Sequence, residues 1–222
     1  MSKSRLKFTP LQILVHLLAW GLVVWLARDA WTGNLTVNPI QAAEQRTGKY
    51  ALVLLVLSLA CTPLNTLFGF RQALTVRRSL GLYAFMFAVL HFTIFIWIDY
   101  GFDWEFIRLD IINKRYILVG ATALTILTLL AATSFQWWMK RLGKRWKALH
   151  KLIYLAAPLV VLHYAWARKG DIFRLQGDIL QPLAFGVVIA LLLLVRLPIL
   201  RRGAVRLRGQ LQRRLALVSA PR

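Results

Sequence analysis

Four histidines, His16, His91, His150 and His163, are the residues of this chain best suited to chemistry by type and placement. Each falls within a long apolar stretch, where a polar side chain is costly to keep and marks a functional position by default. Neutral imidazole binds transition metals through one ring nitrogen. Two imidazoles on facing helices can hold a b-type haem by bis-axial coordination without covalent attachment. His91 and His163 are the informative pair. On helices running outward from about Ser79 and Trp146 they sit about 18 Å and about 25 Å from the inner end, at 1.5 Å per residue. Both then belong to the outer half of the bilayer. His150 and His16 lie near the other face at comparable depth, so they are open to an inner haem or a quinone site. The step from His150 to His163 spans about 19.5 Å yet turns by about 140° on a straight helix, and a kink at Pro158 could re-aim one ring. The alternative for each histidine is an interhelical hydrogen bond, or an interfacial role for His16 and His150.

Residues around these sites could support a cofactor. Gly81 and Gly120 could leave room for a macrocycle, although glycine in membrane helices usually serves close packing. Arg77, Arg78 and Arg145 could pair with haem propionates or a flavin phosphate, against the reading of Arg and Lys as topogenic charge alone. The single cysteine, Cys61, excludes an intrachain disulfide, a Cys-x-x-Cys-His haem attachment and a thiolate-held iron–sulfur cluster.

The elements that must carry these residues are membrane helices. With 59% of 222 residues hydrophobic and 17% charged, the chain is neither an ordinary soluble domain nor disordered. Apolar runs at about 11–27, 50–67, 80–98, 116–133, 146–167 and 179–200 each approach the roughly 20 residues that cross a hydrocarbon core of about 30 Å. The fold class is all-α integral membrane, a six-transmembrane-helix bundle. Residues 1–200 form the membrane domain and 201–222 a basic tail, in which Leu207, Leu211, Leu215 and Val218 recur at helical spacing among arginines, as in a helix lying on the inner leaflet. No internal repeat of useful strength is legible, and the loop of residues 28–49 reads as a short excursion rich in turn formers. The loop of residues 99–115 interleaves acids with aromatics, which suits a membrane-interface belt or a docking surface.

The net charge of +21 follows this organisation. Lys3, Arg5, Lys7, Arg71, Arg77, Arg78, the cations from Lys140 to Lys151 and those from Arg196 onward fall on one side, with no acid among them. The other side holds nine cations and all eight acids. By the positive-inside rule both termini are cytoplasmic. The cations orient the protein against anionic lipid, and no nucleic acid is expected. The chain has no Gly-x-Gly-x-x-Gly, Walker loop, Gly-x-Ser-x-Gly or intrahelical carboxylate pair. A haem here would pass electrons between other components.

The run from Val76 through Arg77, Arg78, Ser79, Leu80, Gly81, Leu82 and Tyr83 to His91, the run from Arg141 to His150, and His163 to Trp166 resemble the MsrQ family. That family is a haem-binding membrane subunit of a periplasmic methionine sulfoxide reductase system, within the ferric reductase and NADPH oxidase transmembrane superfamily. Asn38, Pro39, Thr47 and Gly48 are similar to its first outer loop. The resemblance implies a bacterial inner-membrane cytochrome b with one or two haems b and FMN. It takes electrons from the quinone pool or a cytoplasmic flavin reductase and passes them to the periplasmic molybdopterin subunit MsrP. Its histidines match His91, His150 and His163. The chain departs from the oxidase pattern at position 77, where Arg77 stands in place of a second helix 3 histidine, so an inner haem would need His150 with His16, another ligand or an open position. Rival readings are a ferric reductase or oxidase-like protein, and a non-redox transporter or scaffold. The sulfoxide chemistry would belong to the partner, which leaves this chain an electron-transfer subunit.

Overall fold

The computed structural model describes residues 8–168 and 178–218, residues 211–218 as backbone alone. The expected anchors Lys3, Arg5 and Lys7, the loop cations Lys169 and Arg174, and the side chains of Leu211, Leu215 and Val218 lie outside the described residues. All regular structure among them is helical. Helix α1 (Pro10–Trp31) starts from a capping box in which Thr9 and Gln12 satisfy each other's backbone donors. Helix α2 (Pro39–Phe68) starts from Asn38, whose side chain accepts from the Gln41 amide, and ends at Gly69 in the left-handed conformation (φ 73°) that a Cβ disfavours. Helix α3 (Gln72–Thr93) continues into a π-helical segment, Ile94–Asp99. Then follow α4 (Trp104–Asn113), α5 (Arg115–Ala132), α6 (Gln136–Leu142), α7 (Lys144–Leu149), a 3-10 turn (His150–Leu152), α8 (Ile153–Ala167), α9 (Leu180–Leu194) and α10 (Pro198–Val218).

Five helical stretches are long and apolar enough to cross a membrane, and six if α9 and α10 count as one span bent by 76°. The expected all-α six-helix membrane bundle is the architecture, with three changes of boundary. Helix α2 begins at Pro39, not near residue 50, because Asn38 and Pro39 form a start signal strong enough to carry Glu44, Arg46 and Lys49 into the helix. At about 45 Å it overreaches a hydrocarbon core of about 30 Å, so its charged first turns need not sit in lipid tails. Helix α3 likewise begins at Gln72 and takes Arg77 and Arg78 into the helix. The last apolar run does not continue to Leu200. The ring of Pro198 blocks the carbonyl of Leu194 and supplies no N–H, so α9 stops there and α10 leaves at an angle.

The packing is dominated by two helical hairpins, α2 with α3 and α5 with α8. Helices α2 and α5 run in one direction and α3 and α8 return. Leu52, Leu55, Leu59, Ala84, Phe87, Ala156, Ala157 and Val161 are buried between them. Small residues at Ala84, Ala156 and Ala157 let the backbones approach, the usual basis of helix association in lipid. Helix α1 buries Ala19, Leu26 and Asp29 and leaves Leu14, Leu17, Leu18, Val24 and Trp25 facing outward, as a lipid-facing helix must.

The chain between α3 and α5 turns through Gly101 (φ 55°) and Phe102 (φ 62°), and Asp103 caps α4. A clasp closes it. Tyr100 donates to the Asp110 carboxylate, which also pairs with Lys114. The hydrogen bond from Lys114 holds Asp110 below the usual carboxylate range and pushes Lys114 up to about 12, while burial and the bond to Asp110 push Tyr100 up to about 12. A lowered carboxylate contributes stability above its unfolded value near about 4 and loses it as pH falls. The two raised groups contribute below their unfolded values near about 10 and lose it as pH rises towards 12. Hydrogen exchange of residues 100–114 should therefore be slowest between about pH 5 and about pH 10 after correction for intrinsic rate. Asp110→Asn should remove the acid limb of that profile.

Candidate functional site

His91 on α3 and His163 on α8 meet in the middle of the two hairpins, with ring centres 6.0 Å apart and planes at 77°. The longer α3 explains the meeting, since His91 lies as many residues past Gln72 as His163 lies past Lys144. The depth difference expected from the apolar runs therefore vanishes. Each ring is tied down by one nitrogen. His91 Nδ1 lies 3.0 Å from the carbonyl oxygen of Glu44, and His163 Nδ1 lies 2.8 Å from that of Tyr116. A carbonyl only accepts, so both Nδ1 atoms carry the proton and both Nε2 atoms keep a free lone pair. Metal-binding histidines are oriented in this way, by an N–H given to a carbonyl or carboxylate behind them.

The two seats are built alike. Each carbonyl lies 47 residues before its histidine, and each is followed four residues later by a glycine, Gly48 after Glu44 and Gly120 after Tyr116. A Cβ on Gly48 would stand 3.4 Å from His91 Nδ1, and one on Gly120 only 2.6 Å from His163 Nδ1. The glycines let an imidazole lie against helix backbone. Gly120 therefore clears space for His163 itself, and Gly81 faces Ser58 on α2. The repeat absent from side-chain patterning is thus present in structure, as two parallel hairpins contributing the same constellation. Glu44, Tyr116 and Gly48 were not legible as site residues, because two of them act through main-chain oxygen. The shared spacing with a glycine one turn on was the signal available.

The other two histidines have separate neighbours. His150 stacks on Trp146 at 4.1 Å, and its Nε2 lies 3.2 Å from Thr133 Oγ1. The Thr133 hydroxyl already donates to Leu129, so Nε2 is the donor to Thr133. His16 Nδ1 lies 2.6 Å from the Tyr83 hydroxyl, and its ring meets Phe8 edge-on. His16 and His150 thus form no ring pair of the kind made by His91 and His163. Arg78 lies over Phe135, Arg145 is exposed, and Arg77 lies beside the α2 turn at Ser58.

Residues 47–161 match the ferric reductase like transmembrane component family, from Thr47 in the His91 seat to Val161 just before His163. Among curated relatives, the protein-methionine-sulfoxide reductase heme-binding subunit MsrQ of Bordetella pertussis is 37% identical over 90% of this chain and 94% of its own. The MsrQ of Rhodospirillum rubrum is 42% identical over 81% of this chain and 84% of its own, and that of Herminiimonas arsenicoxydans 42% over 77% of each. The chain belongs to the MsrQ family. The structure places Thr47 and Gly48 inside α2, with Gly48 at the His91 seat, where the sequence pattern had put an outer loop.

The two MsrQ seats differ in tolerance. Gly120→Ala should destabilise the detergent-purified protein by about 1–3 kcal/mol through overpacking against His163. Gly48→Ala should stay within about 1 kcal/mol, since its contact is ordinary and alanine favours helix. Thermal unfolding of the two variants beside the parent protein measures the difference.

Proposed function

We propose that this chain is a haem-carrying electron conduit of a methionine sulfoxide reductase system, in which His91 and His163 would hold the haem. The observation that carries the reading is the pair of imidazoles anchored through Nδ1 with free Nε2 atoms and ring centres 6.0 Å apart. Two imidazole–metal bonds of about 2 Å each, with half a ring at either end, span close to that separation. Among the described residues no three His, Cys, Asp or Glu side chains converge as a metal site. A metal held by two histidines must then bring its remaining ligands with it, as the iron of a haem does. The names of the relatives, heme-binding subunits of a methionine-sulfoxide reductase, support the same reading.

When bound, haem b supplies a one-electron carrier in the apolar interior. The chain's own residues do the rest. The Glu44 and Tyr116 carbonyls orient the rings, Gly48 and Gly120 let them lie back, and fully buried Phe87, one turn from His91, excludes water. We place the cation-rich end in the cytoplasm with both termini, in a bacterial inner membrane, on the positive-inside rule. Electrons then enter from the quinone pool or a cytoplasmic flavin reductase and leave at the acid-bearing end towards a periplasmic molybdopterin partner, MsrP. His150 serves electron intake or an inner haem, and His16, bonded to Tyr83, is open to an inner haem or a quinone. FMN is carried by resemblance, with no residue assigned to it.

Absorption spectra of the detergent-purified protein test the reading. The oxidised and dithionite-reduced protein should give a Soret band and low-spin α and β bands of b type, and His91→Ala and His163→Ala should each abolish the low-spin signature. A colourless protein from haem-replete cells would sink the proposal. Preferential reduction of ferric chelate, with no molybdoprotein reduced, would move the acceptor to iron.

A further inference from the structure

Helix α3 does not end as a regular helix. Three residues past His91 it widens into the π-helical segment Ile94–Asp99, in which the Tyr100 amide donates to the Phe95 carbonyl at 3.1 Å. π-Helical turns are rare and occur mostly at functional sites. The chain then reverses through Gly101 and Phe102, and Phe102, with φ 62°, is the only non-glycine residue of positive φ among the described residues. A bulky side chain rarely takes that conformation, and a residue held in it points to a use for the shape it makes.

The two irregularities build one surface. Trp97 faces outward from the π segment, the reversal sets Phe102 beside it with ring centres 6.2 Å apart, and Trp104, opening α4, follows 6.4 Å from Phe102. Each of the three is exposed by half or more. The clasp of Tyr100, Asp110 and Lys114 closes the loop that carries this ridge. Residues interleaved with the ridge line an open cavity of about 330 Å³, Asp99, Tyr100 and Asp103 together with Phe106, Asp110 and Lys114. Asp110 is taken by Lys114, whereas Asp99 and Asp103 make no ion pair among the described residues.

A lipid interface would ask for less. Aromatic belts need Trp and Tyr at headgroup depth, and a fluid headgroup layer sets no exact position for a ring. Here carboxylates stand among the rings, the tyrosine hydroxyl is spent inside the clasp, and one ring is kept on a strained backbone. A fixed aromatic ridge beside an acidic hollow suits instead a protein that brings an apolar patch with a cation at its edge. A shape formed in advance lowers the ordering cost of such a contact.

We propose that Trp97, Phe102 and Trp104, with the hollow of Asp99 and Asp103, form the docking face for a soluble redox protein that presents a lysine or arginine beside an apolar patch. The face terminates the helical run that carries His91, with Trp97 six residues beyond it, or about 9 Å at 1.5 Å per residue. That electrons leave here rests on the haem reading, while the docking itself does not.

Binding is measured on the full chain in nanodiscs of phosphatidylcholine, a lipid without net charge, with purified MsrP as the probe and biolayer interferometry as the readout. Phe102→Gly removes the ring where glycine suits the backbone, so the melting temperature should hold or rise while binding weakens about tenfold. Trp104→Ala should weaken binding by as much. Asp99→Asn should weaken it several-fold at low salt and lose that difference at high salt. Trp25→Ala, on the outward side of α1, should bind as the parent does. Parent-like binding by Phe102→Gly and Trp104→Ala overturns the proposal and returns the ridge to the lipid interface, and absence of MsrP binding by the parent overturns it as well. No electron passes in this measurement. A colourless parent that still binds through the ridge would therefore sink the haem reading alone.

Discussion

An imidazole inside a membrane bundle must give its N–H to something, and here the acceptor is helix backbone. The carbonyls of Glu44 and Tyr116 receive His91 and His163. Much of the architecture follows from that constraint. A main-chain oxygen in an α-helix is shielded by side chains; His163 reaches its oxygen only because Gly120 has no Cβ, whereas at His91 a Cβ on Gly48 would make ordinary contact. The histidine-bearing helix must pack closely against the helix that offers the oxygen. The two most extensive helix pairings, α2 with α3 and α5 with α8, are the ones that do this. Thr47, fully buried, adds its hydroxyl to the Glu44 carbonyl and so fixes that turn of α2 further.

The two ends of the bundle solve opposite problems. At the acid-bearing end, charges are matched within the protein, by Asp29 with Arg46 and by the clasp of Tyr100, Asp110 and Lys114. At the cation-rich end, arginines turn to main-chain oxygen instead. Arg196 takes the Leu59 carbonyl that Pro63, lacking an N–H, frees, and Arg208 of α10 donates to the Asn65 and Thr66 carbonyls where α2 runs out. Gly69 leaves room for that second arginine, since a Cβ there would stand 3.4 Å from Arg208 Nη1. Helix α10 is thus bound back onto α2 even though it has turned 76° away from α9.

Composition and charge placement made the membrane bundle legible, because hydrocarbon admits few polar residues and the spans stand out against loops. The pair His91 and His163 was legible for the same reason. Helix starts were not. Hydropathy marks where a helix enters lipid, whereas Asn38 with Pro39 marks where the helix begins, eleven residues before the run from Tyr50. The stop at Leu194 was encoded by Pro198, but four apolar leucines just before it favoured continuation. The seats behind the histidines were the least visible part. Glu44 and Tyr116 act through atoms every residue has, so no side-chain pattern distinguishes them, and only the equal spacing to the two histidines does.

Both imidazole N–H groups end on main-chain oxygens, which take up no proton at any pH a cell reaches. Neither ring can pass its proton on when the charge between them changes. On the proposed reading these two rings hand on no proton with an electron resting between them, so a passage with no proton taken up elsewhere moves net charge through the membrane's electric field. A complete crossing gains or loses about 2.3 kcal/mol for every 100 mV of membrane potential. If the cation-rich end faces the cytoplasm, as proposed, electrons leave a negative compartment for a positive one, and the membrane potential favours that outward flow.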